Sequence, residues 1–518
     1  MRAAIAGVSS IGLWLLVACA PAAIPAQPSS FTLITPNPNA SPTPTPFQPP
    51  IAIDTAPPDP TNTATDTPTP TATVAIPTDF APTVTAGVEQ PQAESARTQY
   101  VFFATLDFPN RSLGVDETIR YYNETGAALS EIVLAVQPNR YPGCFTLETL
   151  AADNVVLSSY NLGDQRLAVE LPTVLQPGSA ITLDIRFHLA LPYKHSQGLF
   201  GYDFNQVNLV DWFPFVVPYS EGWLLHDPMP FGEHLVYDAA DFELNLKTDP
   251  DVVVAASAPG EPNGEWTRYR LYGARTFALS ASDEFLVTES AVGTVLIRSY
   301  YFNGYGGAAD GILNAAVGSV GLFDAKFAPY PYESLSIVQA DIHDGQEYDG
   351  LVFLATEFYG QYGGSTRSNL VTIGVHEIAH QWWFGLVGSD QALEPWLDEA
   401  LSVYSERIYY EFNRSGSYLD WWWNFRVDFF GPSGFVDTTI YEGGAFRPYT
   451  NAVYLNGAHF LEALRGRQGD ESFYRFIKDY AGEFSRRRAS GRDFIALARR
   501  YADRSLDDLI AQYFKGAY

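Results

Sequence analysis

The sequence predicts a multidomain chain in which an antiparallel β sandwich or saddle leads into an α+β domain. Three observations carry this. Between Tyr100 and about Thr288, short runs such as AITLDIRFHLALP and ADFELNLKTD alternate apolar and polar residues with period two. From about residue 291, strand-like runs give way to helical spacing. Upstream, Pro, Thr, Ala and Ser dominate, and such a stretch cannot bury enough surface to fold. The boundaries read from these shifts are 1–19, 20–97, 98–290 and 291–518.

The chain opens MRAAIAGVSSIGLWLLVACA, with a single Arg2, an apolar run to Val17 and small residues at its end. That is the form of a secretory signal peptide. Leu16-Val17-Ala18-Cys19 has the form of a lipoprotein box, in which Cys19 becomes the lipidated first residue after cleavage. An ordinary signal peptide or an uncleaved anchor are the alternatives, although the run is short of the roughly 20 apolar residues a spanning helix needs. The tether that follows, at ~3.1 Å per residue, reaches up to roughly 200 Å from a membrane. The expectation is an exported cell-surface or periplasmic lipoprotein of a bacterium, attached to its membrane through Cys19. Cys144, the second of two cysteines, then has no intramolecular partner, so core burial and not disulfides must hold the fold.

Within the β-rich stretch, QPGS and EPNGE mark turns. The insert NLVDWFPFVVPYSEGWLLHDPMPFGEH, Asn208 to His234, is too apolar for a free loop. It is expected to pack against the following domain and wall a cleft there. The last domain starts with TVLIRSYYF, followed by a small-residue helix from about Ala308 to Phe327 and strands at SIVQADI and LVFLATE. Trp421–Trp423 point in three directions on a helix, which favours packing over a stacking platform.

The richest stretch is VHEIAHQWWFGLVGSDQALEPWLDEALSVYSE, Val375 to Glu406. On a helix, residues four apart share a face, so His376 and His380 can aim their imidazoles at one point. Glu399 stands nineteen residues after His380, room for a helix ending around Gly385–Gly388, a loop, and a return helix starting near Pro395. Zinc takes such His₂Glu sets and leaves a fourth position for water. Glu406 falls on the same face as Glu399 and is placed to orient a histidine. Glu377 is too close in sequence to His376 to reach the same ion, but can take a proton from water and pass it to a leaving amine. A solvated helix face or a structural His/Glu cluster is the competing reading.

HEIAHQWWFG followed by EPWLDEALSVYSE resembles the gluzincin peptidases, specifically the aminopeptidase N family. YPYESLSIVQADIHDGQEYDGLV (Tyr330 to Val352) is similar to the family's segment ending in GAMENWGL, and NAVYLNGAHFLEALRG to its VYEKGA segment. The likeness covers about the last 230 residues, and continues weakly through NLVDWFP…GW to ADF. It implies a thermolysin-like catalytic domain and a short form without the large C-terminal helical repeat domain. It also implies one zinc ion per chain and hydrolysis of N-terminal residues from peptides. Tyr454 takes the place of the tyrosine that stabilises the oxyanion, and Glu347 that of the glutamate that holds the substrate's α-ammonium. Departures are Asp344 for the opening Gly, Gln346 for Met, Tyr348 for Asn, and Asn456 for the Lys of the tyrosine segment. The second amine-binding glutamate has no match; Asp203 and Asp211 are candidates, with a solvated turn as the alternative for both.

A net charge of −28 argues against nucleic acid and anionic lipid surfaces as partners. Oligomeric state is not encoded in any motif. Two other functions compete with a tethered aminopeptidase: an endopeptidase or other zinc hydrolase on the same scaffold, and an inactive surface module that only binds. The intact HExxH, Glu399 and Tyr454 count against the last, because a binding module has no use for Glu377.

Overall fold

The β-rich region is built on an eight-stranded sheet, described here from a computed structural model that covers residues 97–194, 198–413 and 416–518. The expected signal peptide, Cys19 and nearly all of the tether lie outside the described residues. In space the sheet runs 260–263, 266–274, 240–247, 99–107, 112–122, 180–190, 145–152 and 155–156. Ser112–Tyr122 shows why these residues make strands: Leu113, Val115, Ile119 and Tyr121 are buried on one face, with more exposed residues between them. Two four-stranded sheets complete the region.

Two expectations need correction. The large sheet is not purely antiparallel, since Gln99–Asp107 runs parallel to Ala240–Lys247. Parallel neighbours need a long crossover, and the intervening sheets supply it. The domain junction also falls earlier than 290. Leu286–Val292 pairs antiparallel with Val295–Tyr301 through a tight turn, and so belongs to the sheet of the C-terminal half.

That five-stranded sheet is mixed: Val295–Tyr301, Ser334–Ala340 and Leu351–Ala355 are parallel, with Leu286–Val292 at one edge and Gly345–Tyr348 at the other. Helix Gly306–Lys326, which buries Ala308, Ala309, Ile312, Ala315 and Ala316, packs between this sheet and the helix Asn369–Ala379. The helices from Asn369 onward form the rest of the half.

The aromatic insert is structural core. Trp212 and Phe213 lie 5.1 and 4.8 Å, ring to ring, from Phe102 of the large sheet, and the Trp212 indole donates to the Phe277 carbonyl at 3.0 Å. Its later part packs on the helical half, where the Tyr441 hydroxyl donates to the Asp227 carbonyl and Phe231 meets Tyr449. Arg275 locks the two halves together. Its guanidinium donates to the carbonyls of Phe384 (2.7 Å), Tyr237 (2.9 Å) and Arg487 (2.8 Å). Asp349 accepts from the backbone N–H groups of Arg275 and Thr276 and from the Tyr332 hydroxyl. Because Asp349 directly follows the edge strand Gly345–Tyr348, this network fixes that strand against the helices.

Candidate metal centre

Helix Asn369–Ala379 starts at Ser368, whose hydroxyl accepts from the Val371 N–H. The α-helix stops at Ala379, earlier than the spacing suggested, and a wider π turn continues from Gln381 to Leu386. Large aromatic groups hold this turn: the Trp382 indole donates to the Ala328 carbonyl, and that of Trp383 to the Ser405 hydroxyl. Gln381 reaches across to the edge strand, donating to the Tyr348 carbonyl and accepting from the Gly350 N–H. The return helix is Trp396–Asn413, and the Glu399 N–H closes its first turn on the Pro395 carbonyl.

The two histidines and Glu399 converge. His376 Nε2 lies 3.2 Å and His380 Nε2 3.6 Å from Glu399 Oε2, with all three side chains buried. An ion held tetrahedrally at about 2.0–2.1 Å from each ligand sets those ligands about 3.3 Å apart. The observed separations match that. Each imidazole is also aimed from behind, His376 Nδ1 by Glu406 Oε1 at 3.0 Å and His380 Nδ1 by Asp398. With both Nδ1 atoms engaged, both Nε2 atoms are left for an ion. Glu406 in turn accepts from Arg426 (2.7 and 2.9 Å) and from the Trp422 indole (2.8 Å), while Gln391 donates to Asp398 at 2.7 Å.

The electrostatics suit a cation. Burial drives Glu399 up, but the hydrogen bond from His376 and the charges of both imidazoles outweigh it and leave the carboxyl below its ordinary range. Glu406 is likewise held low, its burial outweighed chiefly by Arg426. Glu377, which points to the side of the triad, is pushed up to about 8 by burial, against the pull of His376 and His380. It lies beneath the edge strand, where a Cβ on Gly345 would stand 2.1 Å from its Oε1. Only glycine permits that approach.

Tyr454 sits in a second π turn, Asn451–Leu455, and its hydroxyl donates to Glu399 Oε1 at 2.6 Å. Glu347, on the edge strand, has an oxygen within 4.8 Å of ligand atoms of both Glu377 and His380. Burial raises its carboxyl well above the ordinary value, and the charges of Glu233 and Glu377 add to this.

Glu233 was not anticipated. It comes from the aromatic insert, and its carboxyl is pushed up to about 8 by burial and by the charges of Glu399 and Asp398. The insert can press this close because Gly232, at φ +74°, has no Cβ to strike Ile440. Among the described residues, no Lys or Arg pairs with Glu233 or Glu347. The candidates Asp203 and Asp211 lie elsewhere. Asp203 is buried beside Lys194 (3.5 Å), so it is no solvated turn, and Asp211 accepts from the Tyr237 hydroxyl (2.7 Å). Trp422 is fully buried over Glu406, with Trp421 and Trp423 half-buried on either side.

Two imidazoles and a carboxylate from a helix–loop–helix, with a second glutamate beside them under a sheet edge, form a site able to hold a metal ion with an acid–base group next to it. Residues 313–513 match the Peptidase family M1 domain. The fold is that of the M1 zinc metallopeptidase from Deinococcus radiodurans, with a TM-score of 0.59 at 19% identity over 82% of this chain and 94% of that one. A mutant of that protein bound to a Tyr-Ser-Ala substrate gives the same TM-score, identity and coverage. Aminopeptidase M1-B of Oryza sativa subsp. japonica is 25% identical over 217 residues, which is 39% of this chain and 25% of the rice protein. Aminopeptidase M1-D of the same plant is 24% identical over 218 residues, with the same shares. The chain thus matches about a quarter of the length of these curated relatives.

Proposed function

We propose that the chain is a zinc aminopeptidase that removes N-terminal residues from peptides. The observation that carries this reading is Glu347 beside Glu377 and His380 of the metal site, with Glu233 of the insert close enough for its charge to act on Glu347, and neither paired with a Lys or Arg among the described residues. Two crowded carboxylates repel one another, and a substrate α-ammonium relieves that repulsion. Holding the ammonium there sets the first peptide bond over the triad.

His376, His380 and Glu399 would hold the zinc, which supplies Lewis acidity that polarises the scissile carbonyl and acidifies water. Glu377 accepts a proton on its carboxylate and returns it to the departing amine. The Tyr454 hydroxyl, beside Glu399, donates to the carbonyl oxygen as charge develops on it. Gly345–Tyr348 is the terminal strand of its sheet, so its outer edge offers backbone groups to an extended peptide.

The test is a panel of aminoacyl-coumarins beside N-blocked peptides, with the metal chelated and then restored. Free-amine substrates alone should be cleaved, and only with metal. Internal cleavage of blocked peptides would support an endopeptidase instead. Glu347→Ala should lower kcat/KM on free-amine substrates by about a hundredfold, the loss of one buried charge-assisted contact. An unchanged kcat/KM on free-amine substrates in Glu347→Ala would remove its role in amine capture.

For location we propose a lipid anchor at Cys19, supported by the Leu16–Cys19 box and the composition that follows it. Among the described residues no helix is long and apolar enough to cross a membrane. Expressed in a bacterium fed labelled palmitate, the protein should take up label and Cys19→Ser should not. An unlabelled wild type would end the idea.

A further inference from the structure

One side chain ties the histidine helix to the end of the edge strand. Gln381 directly follows His380, is fully buried, and extends its amide to the turn after Tyr348. Its oxygen accepts from the Gly350 N–H at 2.8 Å, and its NH₂ donates to the Tyr348 carbonyl at 3.0 Å. A side-chain amide can answer an N–H and a carbonyl at once.

The turn that Gln381 grips is itself held fast. Tyr348 pairs with Leu351, so Asp349 and Gly350 make up the whole turn. Gly350 has a φ of +68°, and a Cβ there would stand 2.0 Å from the Ser257 carbonyl oxygen. The Gly350 carbonyl accepts from the Ser336 N–H, while Asp349 accepts from the N–H groups of Arg275 and Thr276. These contacts bind the turn to the β-rich half and to the neighbouring strand. Gln381 binds it to the helix of the histidines.

Covalent neighbours make this link a short one. His380 precedes Gln381, and Glu347 precedes Tyr348. Ligand-capable atoms of His380 and Glu347 come within 4.8 Å of each other. The path from the triad to Glu347 thus runs through His380, Gln381 and Tyr348, with one hydrogen-bonded amide as its noncovalent step. We propose that Gln381 is a positioning residue that sets the spacing between the triad and Glu347, and so limits cleavage to one residue from the N-terminus. A peptide held by its ammonium presents its first peptide bond to the triad only when that spacing fits one residue. This inference rests on the aminopeptidase reading.

Leucine hydroxamate and 4-methylpentanohydroxamic acid share a metal-binding group and differ only in the α-amino group. Titrated calorimetrically into zinc-loaded wild type, the amine should improve binding about tenfold to a hundredfold, the size of one charge-assisted contact. Gln381→Met keeps the length of the side chain and loses both hydrogen bonds. There the gain should fall to about threefold or less, while the des-amino compound binds within about threefold of its wild-type affinity. A thermal melt checks that the variant is folded. One measurement needs no variant: β-homoleucine hydroxamate, whose ammonium stands one methylene further out, should bind the wild type about as weakly as the des-amino compound. A full amine gain in Gln381→Met, or a wild type that rewards both amines alike, overturns the inference and leaves the aminopeptidase reading standing. Equal weakening of both leucine-shaped compounds in the variant means a damaged triad, and overturns it too. A wild type that gains nothing from either amine overturns both.

Discussion

Glu377→Gln should lower kcat by about 10³- to 10⁴-fold while the protein keeps its metal and its melting temperature. The amide has the carboxylate's shape and fills the same space under Gly345, where no larger residue can approach. What it loses is the capacity to take up and release a proton. Stability should not fall, because burial outweighs the pull of His376 and His380 on the Glu377 carboxylate, and Asp344 and Glu399 add repulsion. Neutralising it removes repulsion, and a slight rise in melting temperature is the expected sign. Metal content is the decisive companion measurement. Glu347, Glu377 and His380 also come within 4.8 Å of one another and form a second constellation able to hold an ion. If Glu377→Gln stripped the protein of metal, the ion would belong to that second set. The first set is favoured by its support, since Glu406 and Asp398 orient both of its histidines.

How far this site can be read from the sequence follows from how local each part is. His376, His380, Glu377, Glu399 and Glu406 belong to two helices whose periodicity alone puts them on facing sides. Asp398 is a different matter. On an ideal helix it points away from Glu399, and it reaches His380 only because the chain leaves the α-helix at Ala379 and widens into a π turn. The run of bulky aromatics QWWF after HEIAH was the one available hint of that turn. Arg426 and Trp422 reach Glu406 from a later π turn, 422–427, which has no sequence signal.

Glu233 could not have been found by spacing at all. It arrives by the docking of one half on the other, and GEH at the end of an apolar insert gives no periodic cue. The cue it does give is chemical: an acidic residue after glycine in a segment too apolar to face water. The early domain junction has a similar cause. Leu286–Val292 alternates like the strands before it, and only its pairing with Val295–Tyr301 assigns it to the later sheet.

Glu406→Ala should produce the largest loss of stability, and a double variant separates its two jobs. Glu406 is fully buried, and it neutralises Arg426, itself buried, while accepting from Trp422. Truncation leaves a buried guanidinium without its carboxylate, which costs about 3–5 kcal/mol in comparable cases. It also leaves His376 Nδ1 without the acceptor that fixes the ring, which typically weakens metal affinity about 10- to 100-fold. The two effects have different owners. Replacing both Glu406 and Arg426 by Met removes the buried charge pair entirely, and well-packed apolar substitutes are often neutral. In urea unfolding of metal-free protein, the double variant should recover most of the stability lost in Glu406→Ala. In competition against a chelator, it should bind zinc as weakly as the single variant does. Recovery of affinity along with stability would mean that Glu406 serves the fold and not the histidine, and that the ring of His376 is held by the ion itself.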